Sequence, residues 1–177
     1  MRRLSCACLA WLLALAATAC RRSPETVPAS ATQEETQELA SMIHVADPRA
    51  SLQLVKGFHE VEQNAWRWTM ARFAVTLRAP AGASQKGAVL VLKGAVPDPV
   101  IAKLKSVTLT ANVEGVPLAA ETFSKPGDCT YRRDVPPGAF PAEAVTVNFA
   151  LDKALAPGEA DHRELGIVVT SVGFEAK

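Results

Sequence analysis

Short runs of β-branched and other apolar residues, separated by turns that contain Gly and Pro, fill the chain from residue 51 onward. Several runs alternate apolar and polar residues with a period of two, as residues 107–113 and 145–149 do, which is typical of strands with one buried face. The candidate strands are Leu52–Val61, Trp66–Met70, Phe73–Arg78, Ala88–Val96, Ser106–Val113, Val116–Phe123, Cys129–Val135, Ala144–Leu151 and Leu165–Phe174. Many short strands with regular turns predict an all-β sandwich or barrel.

The N-terminus has the three parts of a secretory leader. Met1-Arg2-Arg3 is positively charged, residues 4–16 are almost wholly apolar, and the small residues Ala17-Thr18-Ala19 precede Cys20. The apolar run is shorter than the ~20 residues that a membrane-spanning helix needs, so residues 1–19 are predicted to be a cleaved signal peptide.

Small residues followed by a cysteine resemble the lipobox of bacterial lipoproteins, although position −3 holds Ala17 where Leu is usual. The resemblance implies that the Cys20 thiol receives a diacylglyceryl group and that Cys20 becomes the first residue. Two acyl chains hold a protein at a membrane more firmly than one. Arg21 is not the Asp that retains many lipoproteins in the inner membrane, so the resemblance implies a lipid-anchored envelope protein, with the outer membrane as its location.

The composition predicts three further segments. Residues 20–31 are rich in Pro, Ser, Ala and Thr and are predicted to be a flexible tether. A Thr-Gln-Glu-Glu capping pattern begins residues 32–47, which are predicted to form one short amphipathic helix, either packed on the domain or docked to a partner. Its apolar residues recur at helical spacing: Leu39, Met42, Ile43 and Ala46. Residues 48–177 are then the β-sandwich domain.

Charge argues against a nucleic-acid-binding protein, and cysteine content argues against a disulfide-bonded domain. Cleavage before Cys20 removes Arg2 and Arg3, which leaves 17 basic and 18 acidic residues. A nearly neutral chain lacks the basic surface that nucleic-acid binding requires, so no nucleic-acid partner is expected. Once the leader is removed and Cys20 is lipidated, Cys129 is the one cysteine that remains. No internal disulfide is therefore expected, and Cys129 is predicted to be a half-buried free thiol.

Two stretches of sequence resemble jelly-roll-like β-sandwich domains of bacterial envelope proteins and polysaccharide enzymes. They are residues 57–69, with Gly57, Phe58 and Arg67-Trp68-Thr69, and residues 161–172. The resemblance covers roughly residues 50 to 175 and implies a two-sheet antiparallel β-sandwich, with no catalytic residues to carry over. In such folds the first and last strands commonly share a sheet, so Arg163 is expected to form a structural salt bridge with Glu60 or Glu62.

The candidate binding residues surround a pair of tryptophans. Residues i and i+2 of a strand share a face, so Trp66 and Trp68 are predicted to point the same way and Arg67 the other way. One hypothesis is a platform on which sugar rings stack, with hydroxyl groups bonded by neighbouring polar residues: His59, Glu62, Asn64 and Arg67. The other is that both tryptophans fill the core.

Other functions have weaker support in the sequence. It contains no Gly-x-Ser-x-Gly motif, no P-loop and no zinc-binding spacing among His44, His59 and His162, so no catalytic residue, metal or cofactor is expected. Paired acidic residues leave a hydrolase as a minor alternative: Glu60 with Glu62, and Asp161 with Glu164. The sequence therefore predicts a non-enzymatic domain that binds carbohydrate or envelope glycan. The main alternative is a protein-interaction module of an envelope assembly, acting through a sheet edge or the 32–47 helix.

Cys20→Ala tests the lipid anchor. The variant lacks the thiol that accepts the diacylglyceryl group, so it is expected to remain an unprocessed or unlipidated precursor. Incorporation of radiolabelled fatty acid into the expressed chain is the measurement. Labelling equal to that of the unmodified chain would contradict the anchor.

Overall fold

The computed structural model describes residues 38–159 and 161–177, and the segments assigned above to the signal peptide (1–19) and tether (20–31) lie outside them. The strands are β1 Met42–His44, β2 Leu54–Glu62, β3 Trp66–Arg78, β4 Ala88–Val96, β5 Val107–Val113, β6 Val116–Phe123, β7 Gly127–Val135, β8 Ala144–Leu151 and β9 Val168–Ala176. The helical elements are short: α1 Ala83–Lys86, α2 Asp98–Leu104, and 3₁₀ helices Pro48–Gln53 and Pro137–Ala139. Among the described residues, no helix has the length and apolar character needed to cross a membrane.

The strands of the described residues form one continuous hydrogen-bonded sheet, and strand β3 joins its two halves, which are called the two sheets of the sandwich below. The C-terminal half of β3, 72–78, pairs with β8, which pairs with β5, and β5 pairs with β6. Near its N-terminus, Arg67 and Trp68 pair with β9, which pairs with β4, and β4 pairs with β7. All of these pairings are antiparallel. The prediction of a two-sheet antiparallel, jelly-roll-like β-sandwich is therefore confirmed.

The core lies between the two sheets and contains the apolar residues of the alternating strands. In β5, the side chains of Val107, Leu109, Ala111 and Val113 are all buried, as the period of two predicts. Tyr131 of β7 meets Phe149 of β8 edge-on across the two sheets at a centroid distance of 6.4 Å, and within its own sheet Phe149 stacks on Phe73 of β3 at 4.9 Å. Burial of this surface is the main force that holds the sheets together.

The hydroxyl of Tyr131 also connects β7 to β6, the strands at the two ends of the strand order. It donates a hydrogen bond to the carbonyl oxygen of Ala119 on β6, 2.8 Å away. Arg133 Nε donates to the same carbonyl at 2.9 Å. Side chains of β7 therefore satisfy backbone acceptors on the edge of β6, which reduces the tendency of that edge to pair with another chain.

Three candidate strands lie where the sequence placed them: Ala88–Val96, Val116–Phe123 and Ala144–Leu151. The predicted break between Trp66–Met70 and Phe73–Arg78 is absent, because β3 runs unbroken through Ala71 and Arg72. The extended backbone continues there because the neighbouring strand β2 pairs with β3 on both sides of the predicted break.

The predicted helix at 32–47 is wrong for its described residues. Met42–His44 form a strand whose partners in β9 are Gly173, Val172 and Ser171. The backbone edge of β9 beyond its pairing with β3 needs hydrogen-bond partners, and β1 supplies them. Ile43 is buried at 4 % exposure, so one apolar residue of the helical pattern serves as an inward-facing strand residue. The sandwich therefore begins before residue 48.

Gly94 lies where β4 meets a register shift against β9, and a side chain there has no room. A Cβ atom on Gly94 would lie 1.9 Å from the carbonyl oxygen of Val168, whereas one on Gly138 would meet nothing within 4 Å. We expect Gly94→Ala to lower the free energy of unfolding by about 1–3 kcal/mol, because the two backbones must move apart. Urea denaturation is the measurement.

Gly138→Ala is the matched control for Gly94→Ala, and its unfolding free energy should remain within about 0.5 kcal/mol of the unmodified protein. Equal stabilities for the two variants would contradict the close approach of β4 and β9.

Candidate functional site

A groove of ≈ 520 Å³ lies on the sheet that contains β3, β9, β4 and β7. Trp66 and Trp68 form part of one wall, while Asp98 and Asp128 belong to the segments after β4 and at the start of β7. This volume is within the range of about 300–1,000 Å³ that is usual for small-molecule sites.

The strand register places four residues in one row across the sheet. Trp68 of β3 is opposite Val168 of β9, Val168 is opposite Ala95 of β4, and Ala95 is opposite Asp128 of β7. Neighbouring strands lie about 4.8 Å apart, so Trp68 and Asp128 are about 14 Å apart at the level of the backbone. The small side chain of Ala95 leaves the middle of the row low, which makes a depression with an aromatic side and an acidic side.

The row faces away from the core. Ile167 and Val169 are fully buried in the core cluster, whereas Val168, which lies between them in sequence, is 8 % exposed and does not belong to that cluster. Directly paired residues of antiparallel strands point to the same face, so Trp68 faces outward with Val168. Trp66, two residues earlier on β3, shares this face. Both tryptophans are half-buried rather than core residues, although Trp68 also packs in part against the core.

Glu62 lines the groove at the end of the β2–β3 hairpin, where it pairs with Trp66. Its Oε1 accepts a hydrogen bond from Arg163 Nη1 at 2.8 Å. The expected salt bridge of Arg163 is therefore formed with Glu62, and the assignment to Glu60 is wrong. Register shifts in β2 on both sides of Phe58 change which acidic residue reaches the segment before β9. The regular two-residue alternation of a strand therefore does not predict the partner of Arg163.

Arg163 also makes two side-chain hydrogen bonds to Asp161, and its backbone N–H donates a third to Oδ1 at 2.9 Å. Its Nε lies 3.0 Å from Oδ1, and its Nη2 lies 2.8 Å from Oδ2. The side-chain bonds, with a smaller contribution from the backbone bond, lower the pKa of Asp161 to about 2. Bonds to Asp161 and Glu62 raise the pKa of Arg163 above its ordinary value. The cluster holds Glu62 in place beside the tryptophans.

Arg67 and His59 do not line the groove. The guanidinium of Arg67 donates to the carbonyl oxygens of Val45 at 2.8 Å and His59 at 2.9 Å. His59 Nε2 lies 2.7 Å from the carbonyl oxygen of Glu164. Both side chains thus bond backbone and help to fix the segments around β3. Asn64 is exposed in the hairpin turn, with φ 55°.

Asp98 and Asp128 are groove residues that the sequence reasoning did not single out. Both are exposed and stand in Pro-containing stretches of sequence, Pro97-Asp98-Pro99 and Pro126-Gly127-Asp128, which indicate turns. The turns were recognisable, but their proximity depends on the pairing of Val96 with Gly127, which no local pattern indicates.

The Cys129 thiol and possible metal-binding side chains are the remaining candidates for reactive chemistry. Cys129 is buried, and desolvation, with a smaller contribution from the charge of Asp128, raises the pKa of its thiol to about 11. The thiol therefore stays protonated near neutral pH, which disfavours a nucleophilic role. Across residues 38–159 and 161–177, no group of three or more His, Cys, Asp or Glu side chains is placed to hold a metal ion.

No protein-family model matches the sequence, and a search of curated proteins gives no significant match. Among solved structures, the chain is similar to an acetyl xylan esterase (Est2A) from the rumen bacterium Butyrivibrio proteoclasticus, with a TM-score of 0.44 and 8 % identity over 79 % of this chain and 32 % of the esterase. The alignment thus spans about a third of the esterase's length.

Two further similarities are to domains whose names identify them as carbohydrate-binding modules (CBM). The CBM36-1 domain of a multidomain xylanase from the hindgut metagenome of Trinervitermes trinervoides gives a TM-score of 0.40 and 6 % identity, over 77 % of this chain and 96 % of that domain. The CBM51-2 and INT domains of Clostridium perfringens ZmpB, in complex with GlcNAc, give 0.35 and 13 %, over 78 % and 28 %. These scores carry no argument about ligand or activity.

Arg163→Ala tests the cluster beside the groove. Without the guanidinium, the pKa of Asp161 should rise from about 2 toward the ordinary value of about 3.9. Because the pKa of Asp161 is lowered by folding, its stabilising contribution is present above about pH 4 and is lost as the pH falls through about 2. Carboxyl ¹³C NMR titration measures the shift.

Glu62→Gln serves as the control for Arg163→Ala, since it leaves the side-chain bonds between Arg163 and Asp161 in place. The pKa of Asp161 should remain low in that variant. A low pKa in Arg163→Ala would contradict the assigned cause.

Proposed function

We propose that the β-sandwich binds carbohydrate in the groove without catalysing a reaction, and that Cys20 anchors the chain by lipid to the bacterial envelope. The observation that carries the binding proposal is the placement of Trp66 and Trp68. They lie on one face of β3, half-buried, in the wall of an open groove. Tryptophans that served only as core would have both faces covered.

The chemistry of the groove suits a sugar. The flat indole rings of Trp66 and Trp68 offer large apolar surfaces, on which the C–H faces of a pyranose ring stack. The carboxylates of Asp98 and Asp128 accept hydrogen bonds, and sugar hydroxyl groups are donors. Apolar walls combined with a few convergent polar groups are typical of small-ligand sites.

The proposed envelope location depends on the leader alone. Cys20 follows small residues and an apolar run, and Arg21 favours the outer membrane over the inner membrane by resemblance to other lipoproteins. A lipid-anchored module with a glycan groove would hold envelope polysaccharide or peptidoglycan close to the membrane.

A protein-interaction module is the second candidate function, and one observation favours it. Within the described residues, β2 pairs only with β3, and the nearby apolar side chains of Leu52 and Val55 are 73 % and 53 % exposed. A free strand edge can accept a strand from another protein. Register shifts along β2 make the edge irregular, which protects it from such pairing, so the groove is the preferred site. Docking through a 32–47 helix loses its basis, because Met42–His44 is a strand.

Trp66→Ala and Trp68→Ala test the groove. Each should weaken retention on insoluble cell-wall glycan by about 30-fold, the effect of truncating a binding hot spot. The loss of unfolding free energy for Trp66→Ala should stay below the ~3–5 kcal/mol of a core aromatic. Pull-down with graded glycan, together with urea denaturation, measures both quantities.

Leu52→Ala is the matched control for the two tryptophan variants, because it removes an exposed apolar side chain outside the groove and should leave glycan retention unchanged. Full retention by both tryptophan variants would show that the groove is not the binding site. Loss of retention in Leu52→Ala alone would instead place the binding surface near β2.

A further inference from the structure

The ionisable side chains that line the groove are all acidic. They are Glu62, Asp98 and Asp128, and no Lys, Arg or His belongs to the described residues that line it. A groove with one sign of charge concentrates ligands of the opposite sign.

The three carboxylates differ in their partners. Glu62 is paired with Arg163 at 2.8 Å, so its charge is largely compensated. Neither the side-chain carboxylate of Asp98 nor that of Asp128 has a hydrogen-bond or ion-pair partner among the described residues. Two uncompensated negative charges therefore remain at the rim, opposite the tryptophans.

Hydrogen-bond donors are scarce among the side chains of the groove. The hydroxyl of Thr170 is already used, since it donates to the carbonyl oxygen of Lys93 at 3.1 Å. The indole N–H groups of Trp66 and Trp68 are the other side-chain donors in the groove. The carboxylates of Asp98 and Asp128 are hydrogen-bond acceptors. The site thus suits a ligand that is rich in donors and disfavours one with carboxylate or phosphate groups.

We propose that the groove selects a cationic glycan, namely one built from amino sugars whose amines are not acetylated. This inference depends on the proposed carbohydrate function. A protonated sugar amine has three donors for the carboxylates of Asp98 and Asp128. A cation over the face of a tryptophan is attracted by the ring electrons. Charge complementarity and aromatic stacking thus act on the same ligand.

The basic side chain of Lys93 lies near this site, and its charge opposes the effect. Lys93 is exposed on β4, two residues before Ala95 on the same face, and is paired with Thr130 and Ser171. It is not among the groove-lining residues. Lys93→Gln should therefore leave binding of a cationic glycan unchanged or strengthen it, and should not weaken it.

The experiment compares three oligosaccharides of equal length on the full chain purified in detergent: a glucosamine oligomer, an N-acetylglucosamine oligomer and a galacturonate oligomer. The measurements are made at about pH 5.5, where the sugar amines are protonated. Isothermal titration calorimetry should show the glucosamine oligomer binding tightest and the galacturonate oligomer weakest. Raising the salt from about 0.05 M to about 0.5 M should reduce the difference, because exposed charges are screened.

Asp98→Asn and Asp128→Asn should each weaken binding of the glucosamine oligomer by about two- to fivefold, the range expected for an exposed charge pair. The N-acetylglucosamine oligomer should lose less. Glu60→Gln is the matched control, because Glu60 is exposed on β2, does not line the groove and should have no effect.

Two results overturn the charge selection. If the N-acetylglucosamine oligomer binds as tightly as the glucosamine oligomer and the loss of Asp98 or Asp128 does not change the order, the charge selection is wrong, while the proposed glycan function stands. If none of the three oligomers binds and the tryptophan variants retain cell-wall glycan normally, both proposals fail.

Discussion

The fold depends on one strand that serves two sheets. The C-terminal half of β3 pairs with β8 and its first residues pair with β9, so β3 sets how the sheets lie over each other. Backbone groups at the change of partner need hydrogen bonds of their own. The segment before β9 supplies them: Gly166 N–H donates to the carbonyl oxygen of Thr69 at 2.7 Å, and Ala71 N–H donates to Glu164 Oε1 at 2.6 Å.

The candidate site is a consequence of that change of partner. Once the first residues of β3 belong to the sheet of β9, β4 and β7, Trp66 and Trp68 lie on its outer face. Arg163, in the segment that completes the hydrogen bonding of β3, then meets Glu62 at the hairpin end. The aromatic side of the groove and the ion cluster beside it are therefore fixed by the same pairing, whereas the acidic side comes from β4 and β7.

The sequence predicted the elements in which local pattern and tertiary environment agree. Strand β5 alternates in sequence and in burial, and Trp66 and Trp68 share a face as their spacing requires. Prediction failed where the environment decided. Met42–His44 has helical spacing but completes the edge of β9, and irregular pairing in β2 makes Glu62, rather than Glu60, the partner of Arg163. Arg67 and His59 are polar neighbours of the tryptophans in sequence, yet their side chains bond backbone.

By itself, the sequence determined the all-β class, most strand positions and the shared face of the two tryptophans, because these follow from a period of two and from turn residues acting over a few positions. Only the tertiary structure decided that this face is open, that Ala95 leaves a depression in it, and that Asp98 and Asp128 lie across it. Those outcomes depend on which strands pair and in what register, and strands distant in sequence set the register through the burial of a common core.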